Sequence, residues 1–300
     1  MTIGAVNPMS ASVVGVVGAG FMGSGIAETV AAATKHVVVY EPQDGPLHRS
    51  REAVAASVGN AVSRGRLSRH EAENLIDRIR YTTDFHELEV ADVAIEAVTE
   101  DAAVKRELFA QLDQRLPDAQ ILASNTSSIP VAELAASTSR PDRVLGLHFF
   151  SPVPVMKLVE IVVGLDTSAA AVATAERLAL ELGKQSIRTK DRSGFVVNTL
   201  LVSYLMAAVR MYEEGFASRE DIDIAMKLGC GHPMGPLTLC DFIGLDVLYA
   251  ICNSLYEEFK RPEYAAPPLL KRMVASGHHG RKAGRGFYEY TRSRPLAEAA

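Results

Sequence analysis

The sequence predicts an α/β protein, a doubly wound sheet with a second, all-α domain at its C-terminal end. Three observations predict it. A β-branched run, Ser12-Val-Val-Gly-Val-Val-Gly18, enters a Gly-rich turn. Short apolar runs then alternate with helical patterns up to about residue 190. Beyond residue 191 the strand pattern vanishes and helical periodicity alone remains.

The elements follow in order. Residues 12–18 read as a buried parallel strand, because such strands are apolar on both faces. Gly23 to Ala33 is Ala-rich and helical, and Val37 to Tyr40 is the next strand, completing one βαβ unit. Leu47 to Arg64 and Ser68 to Ile79 read as two helices joined around Gly65, a helical-pair insertion near residues 47–80. Val93 to Val98 and Ile121 to Ser124 are strands flanking an amphipathic helix, Ala102 to Leu116. A short helix over Ile129 to Ala136 precedes strands at Val144–His148 and Lys157–Val163. A helix over Ser168–Leu182 and a short strand over Gln185–Arg188 close the first domain, residues 1–190. The second, residues 191–300, holds helices at Gly194–Glu213, Ser218–Leu228, Pro236–Phe259 and Pro268–Ser276. Ser218-Arg-Glu-Asp221 starts one of them with an N-cap hydroxyl and an acid three residues on.

Bulk properties exclude several classes. The chain is 48% hydrophobic and 22% charged, as ordinary globular proteins are. A net charge of -5 offers no basic field for nucleic acid or a membrane surface, so neither partner is expected. No apolar run reaches the roughly 18 residues that span a bilayer. The longest, Gly194 to Val209, is broken by Asn198 and Ser203. Met1 to Ser12 shows no basic n-region and no apolar h-region, so no secretory signal is visible, and the sparse cysteines fit a reducing cytoplasm. Cys230, Cys240 and Cys252 match no zinc or redox spacing, and no metal is expected.

Gly18-Ala-Gly20-Phe21-Met22-Gly23 carries the fingerprint of a Rossmann-type dinucleotide site. The first Gly allows the tight turn, the second lets backbone approach a pyrophosphate, and the third lets helix and strand pack closely. The following helix N-terminus offers amide donors to the phosphates. Glu41 ends the next strand about twenty residues on, where a carboxylate accepts from ribose hydroxyls. A 2′-phosphate there would meet that carboxylate, and Pro42-Gln43 supplies no Arg clamp, so NAD is favoured over NADP.

The stretch Leu147-His-Phe-Phe-Ser-Pro-Val-Pro-Val-Met-Lys-Leu-Val-Glu160 carries the chemistry. It sets His148 at the end of an apolar run and Glu160 alone within a strand pattern. An imidazole whose tautomer is fixed by a carboxylate is suited to take a proton from an alcohol. An ionised acid among apolar neighbours such as Leu158, Val159 and Ile161 requires such a partner.

Four segments converge with the Gly-rich start. They are Ser124-Asn-Thr-Ser-Ser128, the His148 stretch, Gly194-Phe-Val-Val-Asn198 and Gly229-Cys-Gly-His-Pro-Met-Gly-Pro236. Together they closely resemble the 3-hydroxyacyl-CoA dehydrogenase family, over residues 12 to 290. The resemblance implies an NAD-dependent enzyme acting on an acyl-CoA thioester, with short chains such as 3-hydroxybutyryl-CoA expected. It implies His148 as catalytic base, Glu160 as its partner acid, and Ser127 and Asn198 around the reacting oxygen. It implies cofactor contacts at Gly18, Gly20, Phe21, Met22, Gly23, Glu41, Glu100, Lys105, Ser127, Ser151 and Lys282. It implies coenzyme A contacts at Ser57, Arg64 and Ser127, and a homodimer formed through the helical domain.

Two positions depart from the family pattern. Ser151 stands where the family usually has Asn, by the nicotinamide end, and Arg64 stands where it often has Lys. Arg keeps the charge and binds phosphate bidentately. Ser151 leaves open a same-fold dehydrogenase acting on a carrier-protein-bound hydroxyacyl group. A catalytically idle NAD-binding protein is the rival from another class, and the presence of both His148 and Glu160 argues against it.

Overall fold

A computed structural model describes residues 11–290. Most of the N-terminal stretch read for a targeting signal, and the tail after Tyr290, lie outside the described residues. The chain divides into two compact units, parting at Arg192 and Ser193.

The first unit is built on β1 (Val13–Val17), β2 (His36–Tyr40), β3 (Ile79–Thr82), β4 (Val93–Glu96), β5 (Ile121–Ser124), β6 (Val144–Phe149), β7 (Leu158–Val163) and β8 (Gln185–Lys190). They form one sheet in the order β3-β2-β1-β4-β5-β6-β7-β8. The order reverses between β1 and β4, which opens a crevice at their C-terminal ends. Neighbours are parallel except β6 and β7, which pair antiparallel. Helices α1 (Phe21–Ala32), α2 (Asp44–Ser63), α3 (Arg69–Asp77), α4 (Ala102–Arg115), α5 (Val131–Ala135) and α6 (Ala169–Glu181) connect the strands. Val14, Val16, Ile26, Val30, Val39, Ile95 and Ile121 are fully buried and share one core. Strands β4, β5 and β6 are buried throughout, as their unbroken apolar runs require.

The helix expected to reach Ile79 ends at Asp77, and Ile79 opens β3. That edge strand buries only Ile79 and Thr82, and two alternations are too few to stand out from the helical pattern before them. Ser68 and Glu71 exchange the reciprocal bonds of a capping box and start α3 sharply.

The second unit contains α7 (Val197–Glu213), α8 (Arg219–Cys230), α9 (Pro236–Ile243), α10 (Leu245–Phe259) and α11 (Pro268–Ala275). Their core includes Val202, Leu205, Met206, Leu237, Leu248 and Cys252. The single helix expected over Pro236–Phe259 is two helices, bent by 96° at Gly244. Gly244 has φ +101, a conformation that only glycine adopts without strain. Buried Asp241 accepts hydrogen bonds from the amides of Phe287 and Tyr288 and from the Tyr290 hydroxyl, pinning the last described residues to α9. Among the described residues no single helix is long and apolar enough to cross a membrane.

Candidate active site

The antiparallel register of β6 and β7 sets His148 directly opposite Glu160. Cross-strand partners project to the same face, so the two side chains meet. His148 Nδ1 lies 2.7 Å from Glu160 Oε2, with the carboxylate fully buried and the imidazole 9% exposed. A carboxylate on Nδ1 places the ring proton there and leaves Nε2 as the basic nitrogen. The Phe150 ring packs 4.6 Å from the imidazole. Asn125 Oδ1 accepts the Phe149 amide at 2.9 Å and ties the strand end to the turn after β5.

At the crevice, the three glycines of the fingerprint divide their work. Gly18 has φ +102, and a Cβ there would lie 2.7 Å from the Ala97 carbonyl oxygen. A Cβ at Gly23 would lie 1.9 Å from the Gly18 carbonyl oxygen. A Cβ at Gly20 would meet nothing within 4 Å. Two glycines are therefore demanded by packing, and the third faces open space, as a pyrophosphate requires. No side chain caps α1, which leaves its first amides for an anion. Phe21 is 75% exposed beside that space. Glu41 Oε2 accepts the Ala19 amide at 3.3 Å, holding its carboxylate at the crevice. These features fit a dinucleotide.

A polar network centred on buried Lys105 and Glu96 lies at the end of β4. Lys105 was expected as a cofactor contact, yet it is 1% exposed. Its ammonium sits 2.5 Å from Glu96 and 3.2 Å from Glu100. Glu96 also accepts the Ser124 hydroxyl at 2.6 Å. Glu100 accepts the Thr126 hydroxyl at 2.6 Å and the Ser127 amide at 2.9 Å. Burial pushes the Glu100 carboxyl up, but the Lys105 charge and these hydrogen bonds outweigh it and hold it below its usual range. Lys105 is thus linked to Ser127 through Glu100.

Ser57 and Arg64 line a single cleft of about 580 Å³, between α1, α2 and the segments 154–157 and 181–184. Arg66, Lys157 and Lys184 line it too, giving a basic wall in an acidic chain. The Ser57 hydroxyl donates to Glu28 at 2.8 Å. Burial raises the Glu28 carboxyl above its usual value, only partly offset by that bond. Ser151 is exposed in the connection between β6 and β7. In the second unit, Asn198 stands in the first turn of α7 and Lys282 pairs with Asp246 at 2.7 Å.

Residues 13–192 match the family model described as 3-hydroxyacyl-CoA dehydrogenase, NAD binding domain, and residues 194–290 match that of its C-terminal domain. The chain belongs to the 3-hydroxyacyl-CoA dehydrogenase family. It is accordingly an NAD-dependent oxidoreductase. Among relatives of the family, a 3-hydroxybutyryl-CoA dehydrogenase of Mycobacterium tuberculosis is 53% identical, covering 92% of this chain and 98% of the relative. The human mitochondrial hydroxyacyl-coenzyme A dehydrogenase is 42% identical, covering 92% and 90%. A crystal structure of (S)-3-hydroxybutyryl-CoA dehydrogenase from Ralstonia eutropha superposes with a TM-score of 0.90 at 44% identity, covering 94% of this chain and all of that one. A crystal structure of FadB2 from M. tuberculosis gives a TM-score of 0.92 at 52% identity, covering 94% and 100%.

Glu96, Glu28 and Lys184 join the site only through the tertiary structure. Glu96 was findable. It stands in Val-Ala-Ile-Glu as Glu160 stands in Leu-Val-Glu-Ile, a lone acid in an apolar strand. Lys184 carried no such signal, because its partners are backbone carbonyls far away in sequence.

Proposed function

We propose that the enzyme oxidises (S)-3-hydroxyacyl-CoA to 3-oxoacyl-CoA, with short chains such as 3-hydroxybutyryl-CoA as substrates. The buried, in-register pair of His148 and Glu160 carries this reading. Bound NAD would supply the acceptor for the hydride of the carbinol carbon. His148 Nε2 takes the hydroxyl proton, and Glu160 stabilises the resulting imidazolium through Nδ1. In the reverse direction the imidazolium returns that proton to the oxygen. Ser127 and Asn198 orient the oxygen with donor groups. Gly18, Gly20, Phe21, Met22 and Gly23 form the pyrophosphate turn, and Glu41 accepts from the ribose. Glu100 supports Ser127, while Ser151 and Lys282 complete the cofactor contacts. The basic cleft holding Ser57 and Arg64 takes the coenzyme A phosphates, since clustered cations favour polyanions.

In the same reading residues 1–190 serve cofactor and chemistry, and 191–300 serve substrate and dimerisation. Exposed Leu200, Phe216 and Leu228 on the helical unit support a homodimer. Free Cys230, Cys240 and Cys252 support a reducing, cytoplasmic location.

The test is NADH oxidation dependent on acetoacetyl-CoA, run beside NADPH and beside a carrier-protein-linked acetoacetyl group. Turnover with NADH and the CoA thioester is expected. Absence of turnover rejects the reaction. NADPH performing as well as NADH rejects the role of Glu41, and preference for the carrier-linked substrate rejects coenzyme A as the handle.

A further inference from the structure

Lys184 lies between α6 and the start of β8, just after Gly183. Its side chain is buried, with the residue 6% exposed. The ammonium donates to the carbonyl oxygens of Val153 and Met156, the latter at 2.7 Å. Both carbonyls belong to the connection that joins His148 on β6 to Glu160 on β7. Within it, the Pro152 carbonyl accepts the amides of Val155 and Met156 at 3.0 Å, making a tight turn. Val153 is buried against α1, where a Cβ on Gly25 would lie 3.0 Å from the Val153 Cβ. The turn is therefore gripped from two sides, by an apolar contact with α1 and by the Lys184 ammonium.

Among the described residues this ammonium has no carboxylate partner. The two acids on the cleft wall are engaged elsewhere, Glu181 with Lys35 at 2.7 Å and Glu28 with Ser57. Burial, and then the charge of Lys157, push the Lys184 amine below its usual value. A buried cation held by neutral carbonyl dipoles carries a desolvation cost that a nearby anion would offset. Lys184 lines the same cleft as Ser57 and Arg64. One group thus touches both the proposed coenzyme A cleft and the turn between the catalytic strands.

We propose that Lys184 is a positioning residue that ties the His148–Glu160 connection to the acyl-CoA cleft. Its N–H donors hold the turn, and bound thioester phosphates complete its charge. The proposal rests on the reaction and the cleft assignment given above.

The test uses Lys184→Met, Lys184→Gln and Lys184→Arg in the full chain. Each is assayed with NADH against acetoacetyl-CoA and against the N-acetylcysteamine thioester, which lacks the nucleotide. Lys184→Met should lower kcat about tenfold with both substrates, as loss of two charge-assisted bonds implies. It should also raise KM for acetoacetyl-CoA alone. Lys184→Gln keeps a donor without charge, so its kcat should fall less while KM for acetoacetyl-CoA rises equally. Lys184→Arg should restore both. If Lys184→Met does not fold, the glutamine and arginine variants carry the comparison. Wild-type kinetics in the methionine or glutamine variant, or a lowered melting temperature with kcat and KM unchanged, overturns the proposal. A wild-type enzyme inactive on acetoacetyl-CoA overturns instead the reaction on which it rests.

Discussion

His148 Nδ1 and Glu160 Oε2 stand 2.7 Å apart because their strands run antiparallel in register, within an otherwise parallel sheet. A parallel crossover brings two such residues together only through a long connection. A hairpin does it locally, and each residue's place along its strand sets the distance. His148→Ala should lower turnover by roughly 10²–10⁴-fold with circular dichroism unchanged. Glu160→Gln should also lose turnover, and it should lower the melting temperature, since it leaves a buried imidazole without its anion. Near-wild-type turnover of the alanine variant would remove His148 as the base.

The glycines of the turn should separate in function. Gly23→Ala forces a methyl against the Gly18 carbonyl and should cost about 1–3 kcal/mol or more of stability. Gly20→Ala meets no neighbour, so it should melt as the wild type does but bind NADH more weakly. Thermal melts paired with NADH fluorescence titration distinguish the two. Equal losses of stability in both variants would contradict the proposed division.

Glu100 links acidity to stability. Its carboxyl is held below its usual range, with the Lys105 charge and hydrogen bonds from Thr126 and Ser127 exceeding the effect of burial. The folded state therefore favours the ionised form. Its stabilisation is fully present above the ordinary glutamate value of about 4.3 and is lost as pH falls through the lower folded value. The melting-temperature gap between wild type and Glu100→Gln should be constant from pH 7 to 5 and should close progressively below about pH 4. A gap unchanged down to pH 3 would show that Glu100 carries no such linkage.

What was legible in the sequence was whatever depends on local periodicity or backbone need. The buried strands, the Gly18–Gly23 turn and the lone acid Glu160 all declare themselves within a few residues. Strand β3 did not, because a four-residue edge strand abutting a helix shows too little alternation. The break at Gly244 did not either, because the apolar pattern continues across it and only the positive φ bends the chain.

By itself the sequence determined the fold class, the family and NAD as cofactor, since these rest on patterns and motifs that neighbouring residues impose. Tertiary structure alone decided which charges face inward. It turned Lys105 into a buried link between Glu96 and Glu100, and it gave Lys184 two carbonyls of a distant turn as partners. The physical reason is desolvation. A buried charge takes whichever partner the packing brings within reach, and that partner is set by the approach of separate elements, not by spacing along the chain.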